Sequence, residues 1–468
     1  MAVPSTCEVF VFGAGPAGAT LARLLARAGH SVVLLDGARP RTIAPRETLL
    51  ATAQPALERS GLWPWVEAHT EVDTLRHGAI WGSDAWRWRS DAAPGRSYLR
   101  AAFDAGLRRA AAAAGATVLA GARLVQGAVQ SDGRAELHLQ PLEGGLEVCH
   151  ARYVAVATGR GTRSLRAAPF AVRERHHGPH TVALTLQGGC AAAAPCAVVE
   201  AVPQGWWWWH GDGAAGGAAT LFCDGDELQQ VGTAALLHSA RTAARGPAHT
   251  LEATTVGAAG DATARARSAE AVLLVGDAAA SIDPLASQGT EKALLAAEHA
   301  ARVLRAALAQ PDDFAELRRL HEQWEHGLYR AHVRSAAQFL DQERRFPDAP
   351  FWARRRLPAV PPPAPSTRWR QPSGVVEAAV LTRLGDTFTR TLGLRRLDGE
   401  TLVAVGYVPA VPVWRLFAAG ATLNEAVASG GGDARLFVLQ PAAVHAAAAV
   451  LAEQGWLTPA DTHAGARH

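Results

Sequence analysis

The sequence contains almost no lysine. Lys292 is the only one, and arginine supplies the other basic side chains. The formal net charge of +3 is small for 468 residues, and no basic helix or tail favours a nucleic-acid partner. Any reaction that requires a lysine amine would have to use this one residue.

Cysteine is also scarce, with five scattered residues and no CxxC pair. An odd number of isolated cysteines argues against a disulfide framework or a zinc site. No apolar run reaches the ~20 residues of a membrane helix, and no cleavable apolar segment precedes the first strand-like run. We therefore expect a soluble, cytoplasmic protein without a metal or a membrane span, and its length predicts two or three domains.

What the sequence does contain is a βαβ pattern at its start. Residues 8–12 (EVFVF) predict a strand, 13–18 read GAGPAG, 20–29 have helical spacing, and 31–36 (SVVLLD) predict a second strand. A glycine-rich loop between a strand and a helix is typical of a dinucleotide site.

Each glycine of this loop has a distinct expected role. Gly13 permits the tight turn, Gly15 allows a pyrophosphate to approach, and Gly18 lets the helix pack closely on the strand. Asp36, at the end of the second strand, is placed to bind ribose hydroxyls.

Residues 273–293 (LLVGDAAASIDPLASQGTEKA) predict a buried strand that ends in Gly276 and Asp277. Such an end suits a ligand at the carboxyl edge of a parallel sheet, where the Asp277 carboxylate can accept bonds from sugar or ribityl hydroxyls. The corner at Gln288 and Gly289 directs backbone N–H groups and a helix N-terminus to the same region. Without further context, a capped strand-turn-helix connection explains the pattern equally well.

A third strand, residues 153–159 (YVAVATG), ends in Thr158 and Gly159 and lies between the other two motifs in sequence. Arg46 and Glu47 are polar residues placed just beyond the expected nucleotide site. Because GAGPAG, ATG and GD follow one another in this order, each motif is stronger evidence for a nucleotide-binding domain than it is alone.

Residues 165–265 contain alternating apolar and polar segments and predict an inserted antiparallel sheet. On a strand, the consecutive tryptophans Trp206, Trp207, Trp208 and Trp209 alternate between two faces. They either pack against a helix layer or, with Trp81, wall a substrate pocket over the cofactor.

The predicted fold class is α/β, a Rossmann-like domain with an antiparallel β insert and a small, mostly helical C-terminal module. The boundaries are 1–164 and 266–345 for the two parts of the nucleotide domain, 165–265 for the insert, 346–373 for a Pro-rich linker and 374–468 for the C-terminal module.

The ordered motifs, with DPLASQG after GD, resemble the FAD-binding fold of aromatic hydroxylases of the p-hydroxybenzoate hydroxylase type. The resemblance spans roughly residues 8–345 and implies FAD rather than NAD, with Asp277 on the ribityl chain and Arg100 at the flavin. The full set of expected cofactor-binding residues is Gly13, Gly15, Pro16, Ala17, Gly18, Asp36, Arg46, Glu47, Arg100, Val125, Thr158, Gly159, Gly276, Asp277, Pro284, Ser287, Gln288 and Gly289.

The segments PRETLLATAQPALERSGLW, PQGWWWW and DPLASQGTEKAL look like the tryptophan-halogenase-like branch of these proteins. Halogenases of this branch need a lysine between flavin and substrate, but residues 74–81 offer only Arg76 and His77. The halogenase glutamate is replaced by Ala286, and the WxWxIP signature is absent. These departures disfavour halogenation.

The sequence is most similar to flavoproteins that mature tryptophylquinone cofactors. That resemblance implies hydroxylation of an aromatic ring, an indole or the tryptophan side chain of a partner protein, through a flavin C4a-hydroperoxide. The resemblance also implies O₂ as a co-substrate and NAD(P)H or a separate flavin reductase as the source of electrons. The candidate catalytic residues are His77, His210 and Asp283. A polyprenyl reductase and a maturation scaffold that binds without turnover remain alternatives.

Overall fold

The computed structural model describes residues 3–37, 46–88, 95–160, 172–190, 194–213, 216–246, 249–259, 261–266, 271–356, 364–406, 408–429 and 441–460. The chain divides into two compact units. The first is Met1–Phe314 with Trp324–Leu357, and the second is Ala315–Gln323 with Pro358–His468.

The described helices are α1 (Pro16–Arg27), α2 (Gln54–Arg59), α3 (Trp63–Glu67), α4 (Arg100–Ala113), α5 (Gly225–Val231), α6 (Thr233–Ala243), α7 (Gly289–Ala309), α8 (Phe314–Asp341), α9 (Pro350–Ala353), α10 (Ala410–Arg415), α11 (Leu423–Ser429) and α12 (Pro441–Glu453). The strands of the first unit are β1 (Thr6–Phe12), β2 (Val32–Asp36), β3 (Arg46–Leu49), β4 (Thr70–Ile80), β5 (Arg87–Trp88), β6 (Gly95–Leu99), β7 (Thr117–Ala120), β8 (Arg123–Val129), β9 (Ala135–Gln140), β10 (Glu147–Val156), β11 (Val172–His177), β12 (Thr181–Cys190), β13 (Cys196–Val202), β14 (Gly205–Gly211), β15 (Gly216–Asp224), β16 (His249–Ala258), β17 (Asp261–Ala266), β18 (Val272–Leu274) and β19 (Ala280–Ser281). Those of the second unit are β20 (Trp369–Arg370), β21 (Val375–Leu384), β22 (Thr387–Arg396), β23 (Thr401–Leu402), β24 (Ala404–Val405), β25 (Val408–Pro409) and β26 (Thr458–Pro459).

The first sheet has the strand order β7-β2-β1-β10-β9-β8, and β18 also pairs with β10. Strands β7, β2, β1, β10 and β18 run parallel, whereas β9 pairs antiparallel with the first half of β10. Their apolar runs are buried because both faces of a parallel sheet are covered. The carboxyl ends of β1, β10 and β18 meet at one edge, as the Rossmann-like prediction requires.

The second sheet has the order β16-β12-β15-β14-β13-β4-β6-β3, with β5 paired beside β4. The predicted insert supplies β12 to β16, but β3, β4 and β6 come from residues 46–99, which the sequence-based boundaries placed in the nucleotide domain. These strands belong to the second sheet because β4 pairs in parallel with β13. Local sequence patterns do not reveal such a long-range pairing.

Residues at the start of the predicted linker belong to the first unit. Phe351 and Trp352 of α9 are buried in one cluster with Trp81 and Trp206, and the Trp352 indole N–H donates to the carbonyl of Val202 at 2.8 Å. The stretch 357–363, which holds four of the eight prolines of this linker, lies outside the described residues.

The second unit contains a long β-hairpin as well as helices, a difference from the mostly helical module that the sequence suggested. Strands β21 and β22 pair along their full length around a two-residue Gly385-Asp386 turn, in which Gly385 has φ +60°. A Gly-containing two-residue loop between β-branched runs favours a hairpin. Its base packs with α10, α11 and α12 through buried residues such as Leu394 and Trp414.

No helix in the described part of the chain is both long and apolar enough to cross a membrane.

Candidate active site

The glycine loop between β1 and α1 is folded tightly against the end of β10. Gly13 has φ +108°, and a Cβ at this position would lie 2.5 Å from the carbonyl oxygen of Ala157. A Cβ on Gly18 would lie 1.8 Å from the carbonyl oxygen of Gly13. Both positions therefore require glycine.

Gly15 precedes α1 and faces open space. Among the described residues, a Cβ there would meet only Nη2 of Arg100 within 4 Å, at 3.8 Å. The first turn of α1 reads Pro-Ala-Gly-Ala and carries no acidic side chain. Its N–H groups and the helix dipole therefore favour an anion in this space, and the space fits a pyrophosphate.

The end of β10 brings Thr158 and Gly159 beside this loop. The N–H of Ala157 donates to the carbonyl of Phe12 at 2.8 Å, and Gly159 has φ +64°. The hydroxyl oxygen of Thr158 is buried and has no hydrogen-bond partner among the described residues. An unsatisfied buried hydroxyl at this edge fits a ligand with hydrogen-bonding groups.

Two other predicted cofactor residues lie further along the sheet. Asp36 ends β2, and its carboxylate lies 3.2 Å from Nε of Arg108 on α4. It is thus at the expected edge, with an arginine beside it. Val125 lies on β8 with 48% of its side chain exposed, and β10 and β9 separate β8 from β1 in the sheet.

Arg100, the first residue of α4, forms a charged cluster beside the loop. Its Nη1 lies 2.9 Å from Glu47 and its Nε 2.8 Å from Asp104. Tyr98 donates to Glu47 at 3.2 Å and lies 3.1 Å from the Thr290 hydroxyl at the start of α7. Burial lowers the pKa of Arg100, but the neighbouring carboxylates outweigh this and raise it overall, so the guanidinium stays charged. Tyr98 and Thr290 were not expected here, because single polar residues leave no sequence motif.

Gly276 and Asp277 form the turn after β18. Gly276 has φ +67°, and a Cβ there would lie 3.1 Å from Cβ of Ala17, so the turn reaches the first turn of α1. The Asp277 carboxylate lies 3.5 Å from Nε of Arg160 and 3.7 Å from Nζ of Lys292. With 28% of its side chain exposed, it remains accessible to a bound group.

Residues 284–289 connect this turn to α7. A carboxylate oxygen of Asp283 accepts the N–H of Leu285 at 2.9 Å, so Asp283 caps the short turn that follows it. Ser287 has φ +52°, the only positive φ of a non-glycine residue within the described ranges. Such strain concentrates at ligand sites. At Gly289 a Cβ would meet no described atom within 4 Å.

The four consecutive tryptophans of β14 divide between the two faces of the second sheet. Trp207 and Trp209 stack with centroids 4.6 Å apart and lie in a core under α6. The indole N–H of Trp209 donates to buried Glu200 at 2.8 Å. All four tryptophans were predicted to line a substrate pocket. Because Trp207 and Trp209 lie in this core, only Trp206 and Trp208 can face a pocket on the opposite side.

That opposite face joins the loop before α7. Trp206 is 1% exposed and stacks on Phe222 with centroids 3.9 Å apart. Trp81 is also buried, and its N–H donates to the carbonyl of Phe339 at 2.9 Å. Leu285 packs in the same cluster, and half-buried Trp208 packs against it. Trp208 is thus the accessible ring of this face.

His210 and His77 lie on this face in one row, through the pairings His210↔Ala197 and Ala197↔His77. The His210 side chain is fully buried, and neither ring nitrogen has a hydrogen-bond partner among the described residues. Burial lowers its pKa to about 4, and the nearby Arg46 guanidinium adds to the effect. Arg46 itself pairs with Asp212 at 3.2 Å. The imidazole is therefore neutral near pH 7.

Residues 6–218 match the family model described as FAD binding domain. The chain is a flavoprotein. This match confirms FAD as its cofactor, and the Gly15 space, the Thr158 hydroxyl and the Asp277 carboxylate give it a site that fits. Within the described ranges no cluster of three or more histidine, cysteine or acidic side chains could hold a metal ion.

Solved structures confirm the fold. The flavoprotein resembles CmlS, a flavin-dependent halogenase, with a TM-score of 0.69, 18% identity and coverage of 98% of this chain and 97% of that one. It also resembles the peptidyl tryptophan dihydroxylase QhpG, essential for tryptophylquinone cofactor biogenesis, with a TM-score of 0.64, 23% identity and coverage of 92% and 97%. The motif-based resemblance is thus confirmed, and the fold is that of flavin-dependent oxidoreductases.

One sequence relative is named for a different activity. The menaquinone reductase of Mycobacterium tuberculosis is 33% identical over 162 residues, which cover 34% of this flavoprotein and 39% of that protein. The flavoprotein therefore spans about two-fifths of the length of this relative.

The two glycines of the loop predict different mutant behaviour. Because the space at Gly15 is open in the protein alone, Gly15→Ala should fold with unchanged thermal stability but bind FAD at least roughly tenfold more weakly, since the methyl group occupies pyrophosphate space. Gly18→Ala should lower thermal stability even without FAD. Titration with FAD and melting curves separate the two effects. Normal FAD affinity in Gly15→Ala would contradict the assignment of the Gly15 space to the pyrophosphate.

The neutral imidazole of His210 predicts a pH dependence of stability. Unfolding returns its pKa from about 4 to 6.5, so the unfolded state binds more protons between these values. Stability is then retained above pH 6.5 and falls as the pH drops towards 4, by at most about 1.4 kcal/mol per pH unit from this group. Denaturant unfolding of His210→Gln should show a shallower loss. Exposed His238 provides the control, and the same slope in both variants would refute the assignment.

Proposed function

We propose that this flavoprotein is an FAD-dependent monooxygenase that hydroxylates an indole ring, carried as a tryptophan side chain of a partner polypeptide. One observation carries the proposal: accessible Trp208 lies with buried, neutral His210 on the sheet face that packs against Leu285 beside α7. The likeness to QhpG, a peptidyl tryptophan dihydroxylase, supports the choice of substrate.

The face suits a flat, electron-rich ring. A substrate ring can stack on Trp208, and such aromatic pairs contribute about 0.5–1.5 kcal/mol beyond simple burial. The ring centroids of Trp208 and His210 are 5.6 Å apart, and the hydroxyls of Thr185 and Thr220 form a 3.2 Å pair on neighbouring strands. Apolar walls with a few polar groups are typical of ligand sites.

The protein's part in the reaction is positioning and exclusion of water. Bound FAD, once reduced by NAD(P)H or a separate flavin reductase, would supply the activation of O₂, with one oxygen atom transferred to the ring and the other released as water. Trp81, Trp206 and Phe351 are almost fully buried beside the proposed ring site and keep water from it. Holding the ring in one orientation favours transfer of oxygen to one carbon.

The buried state of Lys292 favours hydroxylation over halogenation. Its side chain is 0% exposed and lies 3.7 Å from Asp277 and 3.5 Å from Glu325. An ammonium enclosed by two carboxylates is poorly placed to carry hypohalous acid to a substrate, the role that the resemblance gives to lysine in halogenases.

A second candidate is reduction of an isoprenoid chain, favoured by the 33% identity with menaquinone reductase. A third candidate is a maturation scaffold, which binds a partner protein without turnover. Reduction predicts no consumption of O₂ with substrate, and a scaffold predicts a stable complex with unmodified partner.

Mass spectrometry tests these functions together. The FAD-loaded protein is supplied with a reductant, O₂, chloride and tryptophan-containing peptides, and separately with an isoprenoid quinone. We expect a peptide with added oxygen that comes from isotopically labelled O₂. A chlorinated peptide, a hydrogenated quinone or an unmodified, tightly bound peptide would overturn the proposal in favour of the corresponding alternative.

Trp208 gives the proposal a residue-level prediction. Trp208→Ala should lower turnover about tenfold to a hundredfold, because a ring that loses its stacking partner is misplaced, while FAD affinity stays unchanged. Trp207→Ala on the other face is the matched control and should instead lose about 3–5 kcal/mol of unfolding free energy. Equal losses of FAD affinity and turnover in Trp208→Ala would indicate a packing role.

A further inference from the structure

We propose that Lys292 is a positioning residue for FAD, whose buried ammonium holds the Gly276-Asp277 turn in its cofactor-binding form. The inference uses the FAD site alone and does not depend on the proposed monooxygenase reaction. It concerns the only lysine of the chain, which lies outside residues 74–81, where a halogenase lysine is expected, and which otherwise has no assigned role.

The turn is fixed from both sides. On one side Gly276 lies against Ala17 at the start of α1, where a Cβ would come within 3.1 Å. On the other side the N–H of Gly276 donates to Oε1 of Glu325 on α8 at 2.8 Å. The position of Glu325 therefore determines the position of the turn beside the expected pyrophosphate.

Lys292 connects this support to Asp277. From the first turns of α7, its Nζ lies 3.5 Å from Oε2 of Glu325 and 3.7 Å from Oδ1 of Asp277. Both distances exceed a normal hydrogen bond, so the ammonium lies between the two carboxylates rather than on either one. Arg160 lies 3.5 Å from the second oxygen of Asp277.

Because Lys292 and Glu325 are buried, the loss of either charge should strongly affect the other. The side chains of Lys292 and Glu325 are 0% and 1% exposed, whereas that of Asp277 is 28% exposed. Removing one partner of a buried ion pair leaves a charge without compensation. Without the ammonium, Asp277 loses the buried cation that attracts it, and as the partly exposed member of the group it can turn towards solvent, away from the cofactor.

The residue type supports a specific role. Of the 46 basic residues in the chain only this one is lysine. A compact ammonium on a flexible stem fits between two carboxylates, whereas a planar guanidinium presents a fixed fork of donors. In a chain that uses arginine elsewhere, a lysine at this position indicates that the site requires the smaller group.

A double-mutant cycle with FAD titration tests the proposal. Lys292→Met should weaken FAD binding by roughly tenfold or more, and Asp277→Asn should do the same. The double variant should be no weaker than Asp277→Asn alone, because Lys292 acts through Asp277. Additive losses would overturn the proposal, and unchanged FAD affinity in Asp277→Asn would remove its basis without affecting the monooxygenase assignment.

The pair Lys292→Met with Glu325→Gln separates positioning from stability. This variant removes both buried charges and retains an amide oxygen for the Gly276 N–H, so it should regain the thermal stability of the FAD-free protein. FAD affinity should stay low, and the absorption bands of bound flavin should match those of Asp277→Asn. Recovery of full FAD affinity would show that Lys292 is only structural. If Lys292→Met alone fails to fold, this variant still decides the question.

A matched control is the ion pair between Glu298 of α7 and Arg59 of α2. Glu298 of α7 is 10% exposed and pairs with Arg59 at 3.4 Å. Arg59→Met removes a cation from another carboxylate of α7 and should leave FAD affinity and the flavin spectrum unchanged. A loss equal to that of Lys292→Met would mean that removal of any cation paired with a carboxylate of α7 disturbs the site, which would refute the specific role.

Discussion

The close approach of backbone segments at the carboxyl edge of the first sheet is the constraint on which the rest depends. Gly13 lies against Ala157, Gly18 against Gly13, and Gly276 against Ala17. Because side chains are absent at these crossings, β1, β10 and β18 bring their ends to one place. The N-terminus of α1 and the Asp277 carboxylate then face the same space, which is where a dinucleotide cofactor fits.

The second sheet performs two tasks with a single run of tryptophans. Trp207 and Trp209 fill the core under α6, while Trp206 and Trp208 face the loop that precedes α7. Because successive side chains of a strand alternate, one segment can hold its own sheet together and present an aromatic surface on the other side. The accessible ring is supported by a core made from its immediate neighbours.

The features that the sequence predicted well are local. The glycine loop with Asp36, the strand before Gly276 and the alternation of the tryptophans are each set by adjacent residues with defined backbone requirements. The rest depends on long-range pairing: β4 joins β13 across more than a hundred residues, and Glu325 reaches Gly276 from α8. The hairpin around Gly385 has a recognisable turn sequence, but the alanine-rich segments that follow it favoured the prediction of a mostly helical module.

The burial of Lys292 also has a consequence for amine chemistry. The native fold exposes no lysine ε-amine, because the only one is enclosed beside the cofactor turn. Acylating reagents and amine-directed crosslinkers would therefore modify a lysine only when α7 separates from that turn. Modification of Lys292 would thus report the separation of α7 from the Gly276-Asp277 turn. The modified peptide can be identified without introducing a label elsewhere in the protein.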